Sequence, residues 1–316
     1  MNELLLVGCG PMSVEYGKVL NAMARSFVVV GRGEASAASF YSQVGITPIV
    51  GGLQSFLNSQ EWLPETAIVA VGVESLASVT RTLLEHGISN ILVEKPGALT
   101  LGELEDLNNI ANQKNASVLI AYNRRFFASV RKAREIIAED GGIRSFHFEF
   151  TEWTNEIATL VKATGVKENW FLGNSSHVVD LAFHLGGIPT TLHTMVRGSL
   201  DWHPAGSIFA GCGETATGVL FSYEANWDAP GRWALEFCTS RHRLVFRPME
   251  KLEVINKGSV KSESIVLDDE LDKSYKPGLF AQTAGFLSGS KGLFCNLADQ
   301  CNMTKHVYYP IAGYSR

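Results

Sequence analysis

No Cys-x-x-Cys pair occurs in the 316 residues, and the five cysteines (Cys9, Cys212, Cys238, Cys295 and Cys301) are odd in number. Neither a disulfide framework nor a thiolate zinc site is expected from them. Basic runs are also missing. The 27 Lys and Arg stand against 32 Asp and Glu, giving a net charge of -5, which argues against a nucleic-acid surface and for a small-molecule partner. No apolar stretch is long enough to cross a bilayer, and the opening MNELLLVGCG has neither a basic leader nor a cleavage site. A soluble, cytoplasmic protein without membrane contact is therefore expected. Internal repeats and low-complexity linkers are absent too. What is present, 46% hydrophobic against 19% charged residues, suffices for two domains with sizeable cores.

Residues 1–122 alternate short apolar runs with helical patterns. The runs Leu4 to Val7, Phe27 to Val30, Ala67 to Val71, Asn90 to Val93 and Val118 to Ala121 read as strands, with amphipathic segments at 75–86 and 101–113 among those between them. Continuous apolar strands in βα alternation indicate a parallel sheet covered on both faces. From about residue 144 the pattern changes. Phe146, Phe148 and Phe150 alternate with His147, Glu149 and Thr151, and comparable runs follow at 190–200, 207–213, 217–227, 233–246, 251–256 and 263–268. Strand after strand of this kind predicts a large, mostly antiparallel sheet with one less apolar face. The last forty residues, from Pro277, read as helical. The expected organisation is a dinucleotide-binding domain over 1–122 and a substrate-binding and oligomerisation domain over 123–316.

After the first strand comes Gly8-Cys-Gly10-Pro11-Met12-Ser13, opening a helical segment. Gly8 would make the turn, Gly10 would let backbone approach a pyrophosphate, and the helix N-terminus would attract the anion. Ser13 replaces the usual third glycine and is small enough to keep helix and strand close. At the end of the second strand an NAD-selective loop usually carries an acid. Here Val28-Val-Val30 runs into Gly31-Arg32-Gly33, where Arg32 could pair with a 2′-phosphate and Ser36 could add a hydroxyl donor. NADP(H) is favoured, with NAD(H) possible.

The segment Ile91-Leu-Val-Glu94-Lys95-Pro96 places a lysine at the carboxyl edge of a buried strand, where open α/β sheets bind ligands. Pro96 restrains Lys95 to extended backbone. Thr100-Leu-Gly-Glu103 reads as a capping box starting the next helix. The expected cofactor contacts are Gly8, Gly10, Pro11, Met12, Ser13, Arg32, Ser36 and Glu94.

Asn174-Ser-Ser-His177-Val-Val-Asp180-Leu-Ala-Phe-His184-Leu-Gly-Gly187 begins with capping residues and ends in glycine. On a helical wheel His177, Asp180 and His184 form one polar stripe on an otherwise apolar helix. Such a stripe must face a polar cavity or partner groups, because unpaired buried polar groups are costly. Structural histidines bonded to a carboxylate are one alternative. A metal site is another, but no further ligand motif accompanies these residues, and no metal is expected.

With these pieces in view, the chain resembles the glucose-fructose oxidoreductase, inositol dehydrogenase and MocA (Gfo/Idh/MocA) family. The likeness is carried by the glycine loop, Glu94-Lys95-Pro96, Asn123-Arg-Arg-Phe126 and Asp180-x-x-x-His184. One departure is Val71-Gly-Val-Glu-Ser75, which lacks the Thr-Pro-x-x-x-His pattern of many members. The resemblance implies an α/β protein with an amino-terminal Rossmann domain and a carboxy-terminal α/β domain whose open sheet pairs subunits into homodimers or homotetramers. It implies that Lys95 bonds the reacting oxygen, Asp180 orients the substrate or the lysine, and His184 is the general acid/base, with His177, where one branch of the family also has histidine, as the competing candidate. It also implies a carbohydrate substrate, a sugar or sugar nucleotide oxidised at a hydroxyl or reduced at a keto group. Asn123, Arg124, His177 and Trp170 are expected to contact that substrate, with Arg125, Trp153, Trp202, His203 and Trp227 also available. A non-catalytic NADP-binding regulator on the same fold is the alternative.

Overall fold

The structure is a computed structural model and describes residues 4–60, 63–290 and 292–314. It divides into two compact units. One contains residues up to Asn123 together with Lys273–Cys301, and the other contains Arg124–Asp272 with the residues from Asn302 onward.

The first unit alternates strand and helix: β1 (Leu4–Val7), α1 (Pro11–Ala22), β2 (Phe27–Val30), α2 (Glu34–Val44), α3 (Leu53–Ser59), β3 (Thr66–Val69), α4 (Leu76–Glu85), β4 (Asn90–Glu94), α5 (Leu101–Gln113) and β5 (Ser117–Ala121). The five strands pair in parallel in the order β5-β4-β3-β1-β2. Leu4, Leu5 and Leu6 of β1 and Ile91, Leu92 and Val93 of β4 have no exposed surface, as strands covered on both faces require. From β1 the chain steps to β2 on one side and then to β3 on the other. The carboxyl end of β1 is thus the topological switch point where such sheets bind ligands. Thr100 and Glu103 form the expected capping box at α5, with Glu103 N–H donating to Thr100 Oγ1 at 3.3 Å and Thr100 N–H donating to Glu103 Oε2 at 3.1 Å.

The second unit contains α6 (Ala128–Glu139), β6 (Ser145–Glu149), α7 (Thr154–Thr159), α8 (Ser176–Gly186), β7 (Pro189–Arg197), β8 (Ile208–Thr215), β9 (Leu220–Asn226), β10 (Ala234–Cys238), β11 (His242–Phe246), β12 (Glu253–Asn256) and β13 (Ser262–Ser264). Its eight-stranded sheet has the order β13-β12-β11-β10-β6-β9-β8-β7 and is antiparallel except between β6 and β9. The stretch 233–246, read as one run in the sequence, is two strands turned at Thr239–Arg241. Alternation along β6 sends Phe146 and Phe148 to the core, where Phe146 stacks on Phe221 and Phe237 and meets Phe183 of α8 edge-on. Gly186 lets α8 approach that closely, because a Cβ there would strike the Phe146 ring. The opposite face of the sheet is polar and open. Across it His193, Cys212, Ser222 and His147 stand in register, and Met195 and Leu220 are 62% and 61% exposed.

Beyond β13 the chain continues through α9 (Glu270–Ser274), α10 (Leu279–Leu287), β14 (Cys295–Asn296), α11 (Leu297–Met303) and α12 (Tyr309–Ala312). Residues 273–301, placed with the second domain in the sequence reading, belong to the first unit. α10 packs on α1, β14 pairs antiparallel with β5, and the Gln300 amide donates to Pro96 O at 3.0 Å and to the Tyr122 hydroxyl at 3.1 Å. Among the described residues no helix is long and apolar enough to cross a membrane.

Candidate active site

The glycine loop makes one wall of a cavity of about 600 Å³ in the first unit. Gly8 has a φ of +120°, and a Cβ on it would collide with Ala70 O and Ser13 Oγ. Its N–H donates to Val30 O at 2.8 Å, locking β1 to β2 at the turn. Gly10 precedes α1, whose first residue is Pro11 and whose start has no side-chain cap, so the first helical N–H groups are left for an anion. Gly8, Gly10, Pro11 and Met12 line the cavity with Arg32 and Ser36 from the β2 end and Val71, Gly72 and Ser75 from beyond β3. No Asp or Glu is among the lining residues. A loop in which Gly8 leaves no room for a side chain, a bare helix start and a guanidinium at the far end fit a dinucleotide.

Two of the expected cofactor contacts are placed otherwise. Ser13 is fully buried and its hydroxyl donates to Ala70 O at 2.9 Å, so it packs helix against strand and does not line the cavity. Glu94 does not line it either: its carboxylate accepts from the Tyr16 hydroxyl at 2.9 Å, and burial raises its pKa. Ser36 does line the cavity, but its hydroxyl proton is given to Gly33 O at 2.9 Å, so it faces a ligand as an acceptor. Lys95 follows β4 directly. The peptide to Pro96 is cis, Gly97 turns the chain with a φ of +87°, and its N–H donates to Glu94 O at 3.0 Å.

In the second unit the polar residues before and along α8 divide among separate tasks. A π-helical turn, Phe171–Ser175, leads into the helix. Asn174 and Ser175, expected as caps, donate their side chains to Glu152 instead, at 2.9 and 3.1 Å from Asn174 and 2.7 Å from Ser175. Glu152 is 2% exposed, and burial raises its pKa. His177 is 7% exposed, and its ring lies 6.2 Å from that of Trp233.

Asp180 does not stand open toward a substrate. Arg125 grips both its oxygens, Nε to Oδ2 at 2.8 Å and Nη2 to Oδ1 at 2.6 Å, with the carboxylate 1% exposed. His184 is held neutral: burial and then the charges of Arg125 and Arg134 lower its pKa to about 3. Of the residues expected to act in the chemistry, His184 is thus a neutral imidazole near neutrality and Asp180 is engaged by Arg125. Among the described residues no group of three His, Cys, Asp or Glu side chains gathers where it could hold a metal ion.

Of the expected substrate contacts, Arg124 lies 4.8 Å above the Trp233 ring. Asn123 is turned away, its amide donating to Pro277 O at 2.9 Å. Trp170 meets Trp202 edge-on at 6.1 Å, and Trp202 stacks on Trp227 at 5.7 Å. Trp227 and His203 are core residues, with the Trp227 indole donating to Phe150 O at 3.1 Å. Glu152, Arg232 and Trp233 were not singled out in the sequence. Their contacts reach other parts of the chain, Glu152 and Arg232 being 80 positions apart, and no local pattern marks them.

Residues 3–122 match the family model described as an oxidoreductase family with an NAD-binding Rossmann fold. A search of curated proteins finds no match by sequence. Among solved structures, UDP-N-acetylglucosamine 3-dehydrogenase GnnA from Acidithiobacillus ferrooxidans is similar at a TM-score of 0.74 and 13% identity, covering 99% of this chain and 97% of its own. A levoglucosan dehydrogenase in complex with NADH is similar at 0.78 and 17%, covering 98% and 96%. An inositol dehydrogenase homologue from Azotobacter vinelandii, in complex with NADH and myo-inositol, is similar at 0.73 and 17%, covering 98% and 94%. At these identities the likeness shows a shared fold along the whole chain. Residues 3–122 are thus similar to the NAD-binding Rossmann domain of the Gfo/Idh/MocA oxidoreductase family.

Proposed function

We propose that the protein is an NAD(P)-dependent oxidoreductase that transfers hydride between the cofactor and the hydroxyl or keto carbon of a sugar or sugar nucleotide. The carrying observation is the cavity at the switch point, walled by Gly8, Gly10 and the open start of α1. The similarity to a UDP-N-acetylglucosamine dehydrogenase, to a levoglucosan dehydrogenase bound to levoglucosan and to an inositol dehydrogenase homologue bound to myo-inositol supports the substrate class. When bound, the nicotinamide would supply the hydride acceptor or donor. NADP(H) is favoured because Arg32 lines the cavity and no acid does.

In oxidation the substrate oxygen loses a proton and develops negative charge. Lys95, fixed by the turn at the end of β4, supplies the cation. The proton acceptor is assigned to His177, which shares α8 with His184, since His184 stays neutral far into the acid range and a base that weak takes protons poorly near neutrality.

Titration of NADP(H) and NAD(H) by nicotinamide fluorescence tests the cofactor, and absorbance of the reduced cofactor over a panel of sugars and sugar nucleotides tests the chemistry. Tighter NADP(H) binding is expected, with Arg32→Ala losing most of the difference, roughly ten- to a hundredfold. Equal or NAD-favouring affinity in the unmodified protein would remove the NADP preference. Binding of neither cofactor would remove the oxidoreductase reading.

A further inference from the structure

Arg232 has no part in the chemistry just described, yet it is held on three sides. Its guanidinium stands 4.6 Å from the Trp153 ring centre and 4.4 Å from that of Trp233, and Nη1 donates to Glu152 Oε2 at 3.2 Å. The supports are themselves fixed. Glu152 is anchored by Asn174 and Ser175, and the Trp153 indole donates to Gly231 O at 3.0 Å. A cation so confined has little side-chain freedom left to lose on meeting a ligand. Even so, 42% of its side chain is exposed, and among the described residues no acceptor meets its Nε or Nη2.

A planar guanidinium with an open edge matches two oxygens of a carboxylate or phosphoryl group. Trp153, 53% exposed, adds an aromatic surface suited to the C–H groups of a sugar ring. Trp233 connects this place to the chemistry: one ring carries Arg232 at 4.4 Å and neighbours His177 at 6.2 Å, so guanidinium and imidazole lie within the span of a substituted sugar. We infer that Arg232, backed by Trp153 and Trp233, is an anion-recognising subsite that selects a sugar bearing a carboxylate or phosphoryl group. The inference rests on the sugar-oxidoreductase reading and narrows its substrate class.

Calorimetric titration of the full chain, saturated with NADP+, against D-glucose, D-glucuronate, D-glucose 6-phosphate and UDP-glucose tests it. At least one charged sugar should bind about tenfold or more tightly than D-glucose. Glucuronate as the winner identifies a carboxylate, and either phosphorylated sugar identifies a phosphoryl group. Arg232→Gln should reduce the preference to less than about threefold while leaving NADP+ affinity unchanged. Arg232→Lys retains a charge for Glu152 and should lose most of the preference at near-normal thermal stability, which separates recognition from support of the fold. The inference is overturned if no charged sugar exceeds D-glucose in the unmodified protein, including the case in which none binds, or if both variants keep the preference. Failure of NADP+ itself to bind would count against the oxidoreductase reading instead, and the same titrations without cofactor would then decide the subsite.

Discussion

His177 and His184 lie two turns apart on one helix, and the proposed reaction gives proton transfer to His177. The expected outcome of His177→Ala is a fall in turnover of about 10²–10⁴-fold with cofactor affinity little changed, whereas His184→Gln should keep turnover within a few-fold. Steady-state kinetics on a substrate found by the sugar panel checks this, and the reverse pattern would return the base to His184. His184 also has a consequence for stability. Its folded pKa of about 3 lies below the ordinary value of about 6.5, so between the two the unfolded chain binds a proton that the folded chain excludes. Its contribution is complete above about pH 6.5 and is lost as pH falls toward 3, at about 1.4 kcal/mol per pH unit. His203, lowered chiefly by burial, acts in the same direction, while Glu94 and Glu152, raised by burial, act in the opposite one. Urea midpoints from pH 7 to 4 should fall more steeply for the unmodified protein than for His184→Gln. Parallel slopes would show that His184 is not depressed.

Glu152 joins β6 to the π-helical turn before α8. It offers two oxygens to donors from three residues, and Glu152→Ala would leave buried donors unpaired at a cost of about 3 kcal/mol. Urea unfolding should show that loss, with Glu152→Gln intermediate, and a change within experimental scatter for Ala would mean the turn is held by its apolar contacts alone. What was legible in the sequence follows the same distinction between local and distant contacts. The strands of the first unit announce themselves because burial on both faces demands unbroken apolar runs, and Thr100 with Glu103 announces a helix start because both partners lie within one turn. The helical wheel correctly put His177, Asp180 and His184 on one stripe, but a wheel gives directions and not what stands opposite. Arg125, fifty-five positions before Asp180, decides what that carboxylate does. Asn174 and Ser175 have the composition of caps, and a distant carboxylate claims them.

At the scale of the molecule, the open face of the second sheet carries its own expectation. Met195 and Leu220, both more than half exposed, sit among polar neighbours on a sheet whose other face packs Phe146, Phe221 and Phe237, and such surface is commonly buried by a second subunit. Light scattering at micromolar concentration should give a homodimer or homotetramer, and Leu220→Glu should shift it toward monomer. A monomer mass for the unmodified protein would contradict this.

The cofactor-binding unit is not one continuous piece of chain. α10 lies against α1, β14 closes the β5 edge, and Gln300 reaches Pro96 and Tyr122. During synthesis, the strands carrying the glycine loop emerge well before α10 and β14, so their sheet stays unfinished while the residues of the second unit are being made. Until then the edge of β5 is bare, and the carbonyl after Lys95 waits for a glutamine 204 residues further along the chain. A gene fragment cut after Asn123 would carry every residue proposed to meet the nucleotide and still lack part of the scaffold that holds them.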